Sequence, residues 1–105
     1  MVLTRSFRDT VMARIKREPE FGIALLEEGV ELFLSGDTEA GKSLLRDYIN
    51  ATIGFEKLSA LTGTPPKSLM RMFSPSGNPT ARTLFAVTRE LQVAAGVVLE
   101  VKRAA

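Results

Sequence analysis

Apolar residues recur every three to four positions through the first half of the chain, which is the spacing of amphipathic helices. Phe7, Val11 and Ile15 form one such face, and Pro19 stands where a second helix begins, since proline is tolerated in a first helical turn. The pattern predicts three helices before residue 51, and the apolar sides of the second and third comprise Phe21, Ala24, Leu25, Val30, Leu32, Phe33, Ala40, Leu44, Leu45, Tyr48 and Ile49.

The break between the second and third helices contains Gly36 and Asp37, which suit a left-handed helix stop and the N-cap of the next helix. The residues from Gly36 to Ser43 also match the P-loop expression G-x-x-x-x-G-K-[ST]. A P-loop needs a strand before it, and here Asp37 and Glu39 would place two carboxylates beside the phosphates. We therefore interpret the match as a capped turn between helices, and not as a nucleotide site.

Residues 54–73 predict a short helix, a turn at Gly63 and a second short helix, which is the pattern of a helix-turn-helix. Ala60 is small where the two helices are expected to approach closely. Thr64 is expected to cap the second helix, whose first turn begins at Pro65-Pro66. The side chains expected to pack between the two helices are Leu58, Leu61, Leu69, Met72 and Phe73.

The last third of the chain predicts a loop, a helix and a strand. Residues 74–79 are dense in turn formers, and Thr80 suits the N-cap of a helix with Leu84, Val87 and Leu91 on one face. The alternation of Val97, Leu99 and Val101 with Val98, Glu100 and Lys102 then predicts a strand. Since a lone strand is unstable, we expect it to pair with a second copy, a partner protein or Val2–Thr4.

The exposed face of the second short helix supplies the candidate chemistry. Lys67, Ser68 and Arg71 lie three or four residues apart and share this face. Arginine reads guanine through two hydrogen bonds, and lysine and serine contact base edges or phosphate. The loop before the next helix offers further phosphate ligands. The predicted DNA-binding residues are Thr64, Lys67, Ser68, Arg71, Asn78, Thr80 and Arg82.

Composition narrows the remaining function classes. The chain has no Cys and no His, so thiolate chemistry, disulfides and histidine-based metal sites or acid/base catalysis are excluded. We predict no enzyme, no metal and no cofactor. The lack of disulfides and of an apolar leader favours the cytoplasm, and the longest apolar run, residues 93–99, is too short to cross a membrane.

The net charge is only +2, but the charges are segregated along the sequence. Residues 21–53 carry two basic and six acidic side chains, whereas residues 54–105 carry seven basic and three acidic ones. A basic second half is a modest indication of an anionic partner, although charge alone favours a solvated surface.

The stretch from Leu44 to Val101 resembles the lambda-repressor-like (Xre-type) helix-turn-helix domains, and within them the prophage-associated and HigA-like antitoxins of type II toxin–antitoxin modules. The resemblance is clearest in the segment TGTPPKSLMRMFSPSGNPTARTLF. Many Xre domains have a phosphate-contacting Gln at the start of the first motif helix, where this chain has Phe55. The resemblance implies an all-α helix-turn-helix bundle with two extra N-terminal helices and a short C-terminal strand.

We accordingly predict a single domain over residues 1–105, with a helical extension at 1–36, the helix-turn-helix domain at 37–93 and a strand and tail at 94–105. The resemblance implies a homodimeric repressor that binds a double-stranded operator and neutralises a RelE/HigB-type toxin, whose basic surface would complement the acidic middle of the chain. A regulator without a toxin, and a helical interaction module that never binds DNA, remain the alternatives.

Overall fold

A computed structural model describes residues 5–105, with side chains described from Arg8 onward. Within this range the chain is all-helical. The helices are α1 (Arg5–Arg17), α2 (Pro19–Leu34), α3 (Thr38–Ala51), α4 (Phe55–Thr62), α5 (Pro66–Met72) and α6 (Ala81–Ala95). None of the helices between residues 5 and 105 is long and apolar enough to cross a bilayer.

Helices α2 and α3 pack closely as a hairpin, and α1 lies against both of them. Two glycines allow the close approach. A Cβ atom at Gly29 would lie 2.8 Å from the Leu45 side chain, and one at Gly41 would lie 2.9 Å from the Phe33 ring. The predicted turn between these helices is confirmed, since Gly36 has a φ of 90° and the Asp37 side chain accepts a hydrogen bond from the Ala40 N–H at 3.2 Å.

The core runs continuously from the α1–α3 bundle into the second half of the chain, where α4 packs against both α5 and α6. Ile15 is confirmed as a core residue of α1, and Leu26, absent from the predicted apolar set of α2, is fully buried. Ala24 is exposed, contrary to its predicted inward position. The side chain of Phe7 lies outside the described residues. The buried core comprises Ile15, Leu26, Leu45, Tyr48, Ile49, Ala51, Phe55, Leu58, Leu69, Phe73, Val87 and Leu91.

The predicted C-terminal strand is wrong for the described residues, because the segment after Gly96 forms no strand ladder. Its first residues donate hydrogen bonds to one residue of α6, through both its backbone and its side chain. The Gln92 carbonyl accepts from Val97 at 3.0 Å, and its side-chain Oε1 accepts from the Leu99 N–H at 2.8 Å. Leu99 packs against the core, whereas Val98 and Val101 are 86% and 83% exposed.

The physical reason for this correction lies in the backbone. The alternation of side chains places Leu99 inward and Val98 outward as predicted, but an extended segment becomes a strand only when a neighbouring backbone pairs with it. No described residue does so, and the candidate pairing segment Val2–Thr4 lies outside the described residues.

Candidate nucleic-acid interface

Helices α4 and α5 are two short helices joined by a turn that begins at a glycine. Gly63 ends α4 in the left-handed conformation, with a φ of 78°, and its N–H donates to the Ser59 carbonyl at 2.8 Å. The turn continues through Thr64, whose N–H donates to the Thr62 hydroxyl oxygen at 3.4 Å. The predicted turn at Gly63 is therefore confirmed.

Thr64 does not cap α5, contrary to prediction. The helix begins at Pro66, the cap position falls on Pro65, and no side-chain cap hydrogen bond forms there. The double proline displaces the cap by one residue and removes two N–H donors from the start of the helix. Thr64 is half-buried in the turn itself.

The inner side of the α4–α5 pair is apolar. Leu58 and Leu69 are fully buried, and the rings of Phe55 and Phe73 lie 6.5 Å apart at a tilt of 53°. Phe55 is thus a core residue that joins the start of α4 to the end of α5.

Two predicted contacts of this pair are wrong. Leu61 is 49% exposed and Ala60 is exposed, so neither residue lies between the helices. Helix α4 has only eight residues, and Phe55 and Leu58 already occupy its inward face.

The outer face of α5 carries the predicted basic residues. Lys67 and Arg71 are exposed and Ser68 is half-buried. Because Arg71 is four residues from Lys67 and three from Ser68 on α5, all three share one face. Sequence reasoning missed Met70, which is 44% exposed beside Lys67 and Arg71. The four-residue spacing of the apolar Leu69 and Phe73 was the sequence signal that would have placed Met70 on the exposed face.

The start of α6 lies beyond the loop and is capped as predicted. The Thr80 hydroxyl oxygen accepts from the Thr83 N–H at 3.2 Å. Asn78, Thr80 and Arg82 are all exposed. These residues and the face of α5 belong to a stretch, from Lys57 to Arg89, that contains five basic residues and no acidic one.

The α5–α6 loop is held by a side chain that the sequence did not single out for this task. Lys42, the lysine of the P-loop-like match, is 1% exposed, and its ammonium group donates to the carbonyl oxygens of Ser74 at 3.1 Å and Pro75 at 3.3 Å, and also to that of Gly77. Glu39 Oε2 lies 3.0 Å from the same nitrogen.

This cage of oxygens suits a cation and not a phosphate, which agrees with the capped-turn interpretation of the motif. Two further contacts fix the loop against α3 and α5. Arg46 donates to the Phe73 carbonyl at 3.4 Å, and a Cβ atom at Gly77 would lie 1.8 Å from the Arg71 carbonyl oxygen. The loop therefore sets where α6 begins relative to α5.

The chain matches no protein-family model, no curated protein and no solved structure. Among the described residues, no group of three or more acidic, His or Cys side chains is placed to hold a metal ion.

Proposed function

We propose that this protein is a sequence-specific DNA-binding transcriptional regulator that inserts α5 into the major groove of a duplex operator. The observation that carries the proposal is that one side of α5 is buried and apolar whereas the other is exposed and basic. Leu69 and Phe73 fix one side in the core, and Lys67 and Arg71 are exposed on the other. A short helix held rigidly on one side and basic on the other is the arrangement that helix-turn-helix proteins present to base edges.

Each exposed residue of α5 has a distinct task in this proposal. Arg71 donates two hydrogen bonds to guanine O6 and N7, and Lys67 contacts phosphate or a base acceptor. Ser68 contributes a hydroxyl at the rim of the same face. Met70 offers an apolar contact to a thymine methyl group.

The start of α6 supplies the phosphate contacts. Free N–H groups at a helix start and the exposed Thr80 and Arg82 side chains are suited to phosphate oxygens, and Asn78 adds an amide donor. Because Lys42 fixes the loop between α5 and α6, these contacts would position α5 in the groove with a defined register.

Fluorescence anisotropy with duplex DNA from upstream of the protein's own gene tests the proposal. Arg71→Ala should lower specific affinity about tenfold, since a bidentate arginine–guanine pair contributes about 1–3 kcal/mol of discrimination. Arg17→Ala removes the same charge from an exposed position on α1 and should change affinity less than twofold. The absence of saturable binding at low salt, or an equal loss in both variants, would contradict the proposal.

We also propose, as the antitoxin resemblance implies, that α2 binds a basic partner protein of the RelE/HigB type. Glu27, Glu28 and Glu31 are exposed on α2, and Leu34 at its end is 67% exposed. Acidic side chains around an apolar contact complement a basic surface. Co-purification with the toxin tests this proposal. If the double variant Glu27→Lys/Glu31→Lys retains as much toxin as the unchanged chain, the proposed binding of α2 to a basic partner is contradicted.

Homodimerisation on a near-palindromic operator remains part of the same proposal. Phe85 is 70% exposed and Val93 is 67% exposed, at positions eight residues apart on one side of α6. These two exposed apolar side chains flank the exposed Arg89 and are suited to contact a second copy of the chain. Sedimentation of Phe85→Ser as a monomer beside a dimeric unchanged chain would support it, and a monomeric unchanged chain at micromolar concentration would contradict it.

A further inference from the structure

A cavity of about 360 Å³ opens between the α1–α2 junction and the ends of α3 and α6. It lies apart from the candidate nucleic-acid interface, and none of the residues of that interface lines it. Its walls are mainly apolar, with Ile15 from α1, Ile23 from α2 and Leu91 from α6. This volume and lining fall within the range of small-molecule sites.

One buried polar group faces this cavity without a partner. Tyr48 is 4% exposed and lines the cavity, yet its hydroxyl makes no hydrogen bond to any described residue. Every fully buried polar side-chain atom in the described chain does have a partner. The Tyr48 hydroxyl is therefore not sealed in the core, and the cavity is an open space that this residue lines. Burial raises the pKa of Tyr48, so the hydroxyl is a neutral donor at physiological pH.

The second residue of the lining with a free polar side chain is Lys16, which is exposed at the edge of the cavity. No ion pair joins Lys16 to a described residue, and the carboxylate of Glu18 pairs with Arg14 at 3.3 Å and Arg17 at 3.5 Å. Thr52 also lines the cavity, and its hydroxyl donates a hydrogen bond to the Tyr48 carbonyl oxygen at 2.7 Å.

The polar side chains of this cavity are thus a neutral hydroxyl donor and a cation, and none of its described lining residues is acidic. A ligand that satisfies both groups carries an anionic acceptor, and the apolar walls require a hydrophobic body behind it. Phosphates and sugars lack such a body, and amines would meet Lys16 with like charge.

We propose that this cavity binds a small monocarboxylic acid with an apolar body, whose carboxylate accepts hydrogen bonds from the Tyr48 hydroxyl and pairs with Lys16. Because the lining comes from α1, α2, α3 and α6, such a ligand contacts both the N-terminal extension and the last helix. The site does not depend on DNA binding, and its test does not involve DNA.

Tyr48 is the only tyrosine in a chain that has no tryptophan, so its emission reports on the cavity directly. The full chain is titrated with sodium octanoate and, separately, with 3-phenylpropanoate. A saturable change in Tyr48 emission with either acid is expected, and the stronger of the two distinguishes an aliphatic from an aromatic body. 1-Octanol, which has the same chain length without the charge, should bind at least tenfold more weakly.

Two variants separate specific binding from hydrophobic partitioning. Lys16→Gln should weaken octanoate binding about fivefold in the emission titration, whereas Lys57→Gln, on α4, should leave it unchanged. Tyr48→Phe removes only the hydroxyl and, followed by calorimetry, should weaken binding about tenfold while the thermal midpoint stays within a few degrees. The proposal is overturned by no saturable signal with either acid, by equal binding of 1-octanol, or by full affinity in Lys16→Gln.

Discussion

The α5–α6 loop and the segment after α6 are both non-helical, but they are held by different numbers and kinds of contacts. Three carbonyl oxygens of the α5–α6 loop converge on the buried Lys42 ammonium. The segment after α6 has hydrogen bonds to one residue, Gln92, and the packing of Leu99 against the core, and it is exposed beyond Leu99. Composition does not separate the two, since the well-anchored loop is the one rich in proline, glycine and serine.

The difference shows that order outside helices follows from the hydrogen-bond partners that the backbone finds. A loop of turn-forming residues is rigid when a buried cation collects its carbonyl groups. A segment of β-branched residues stays without a ladder when no strand lies beside it.

Lys42→Met keeps the packed stem of the side chain and removes the ammonium group. The loop carbonyls then lose a shared donor, and the free energy of unfolding should fall by about 3 kcal/mol, since each unsatisfied buried polar group costs about 1–3 kcal/mol. Urea denaturation measures this change. Lys57→Met, at an exposed position on α4, is the matched control and should change stability by less than about 0.5 kcal/mol.

Gly77→Ala should destabilise the protein by about 2 kcal/mol, because the new Cβ atom would overlap the Arg71 carbonyl oxygen and force the loop away from α5. The thermal midpoint and the DNA affinity should fall together, since the loop also positions α6. Ser76→Ala, at the preceding exposed residue, should alter neither. An unchanged midpoint in Gly77→Ala would show that the loop is not anchored against α5.

Gln92→Ala removes the acceptor of the Leu99 N–H and should cost about 1 kcal/mol, the net contribution of one hydrogen bond. Amide hydrogen exchange at Leu99 should accelerate. Gln92→Glu retains an oxygen acceptor and should preserve the protection of that amide. Equal exchange in all three proteins would mean that core packing of Leu99, and not the hydrogen bond, holds the segment.

Deletion of residues 101–105 should have the smallest effect, less than about 0.5 kcal/mol, because all five residues are exposed. Thermal unfolding at several protein concentrations measures it. A larger loss that grows with concentration would instead indicate that this segment pairs with a second copy, as the sequence pattern predicts.

The sequence predicted the helical architecture well because its signals are local. Gly36, Asp37, Gly63 and Thr80 each act within one helical turn, and all four occupy the conformations or caps expected of them. Leu61 and the C-terminal strand were mispredicted because their environment depends on the length of α4 and on the absence of a pairing neighbour among the described residues.

Parts of the site that depend on distant contacts were beyond local reasoning. The bond from Lys42 to Ser74 spans 32 residues, and neither position carries a pattern that would reveal it. The motif match at Lys42 directed attention to phosphates, whereas the fold uses the same side chain to collect carbonyl oxygens. The basic face of α5 was predictable because Lys67, Ser68 and Arg71 follow from one helical period.

The enclosure of Lys42 also makes the chain its own chemical reporter of unfolding. Its amine is shielded from solvent, whereas Lys57 and Lys67 are exposed. An acylating reagent should modify those two lysines in the folded protein and reach Lys42 only when the α5–α6 loop lifts from α3. The rate of Lys42 acylation, followed by peptide mass spectrometry, therefore gives the opening frequency of the loop without any introduced label.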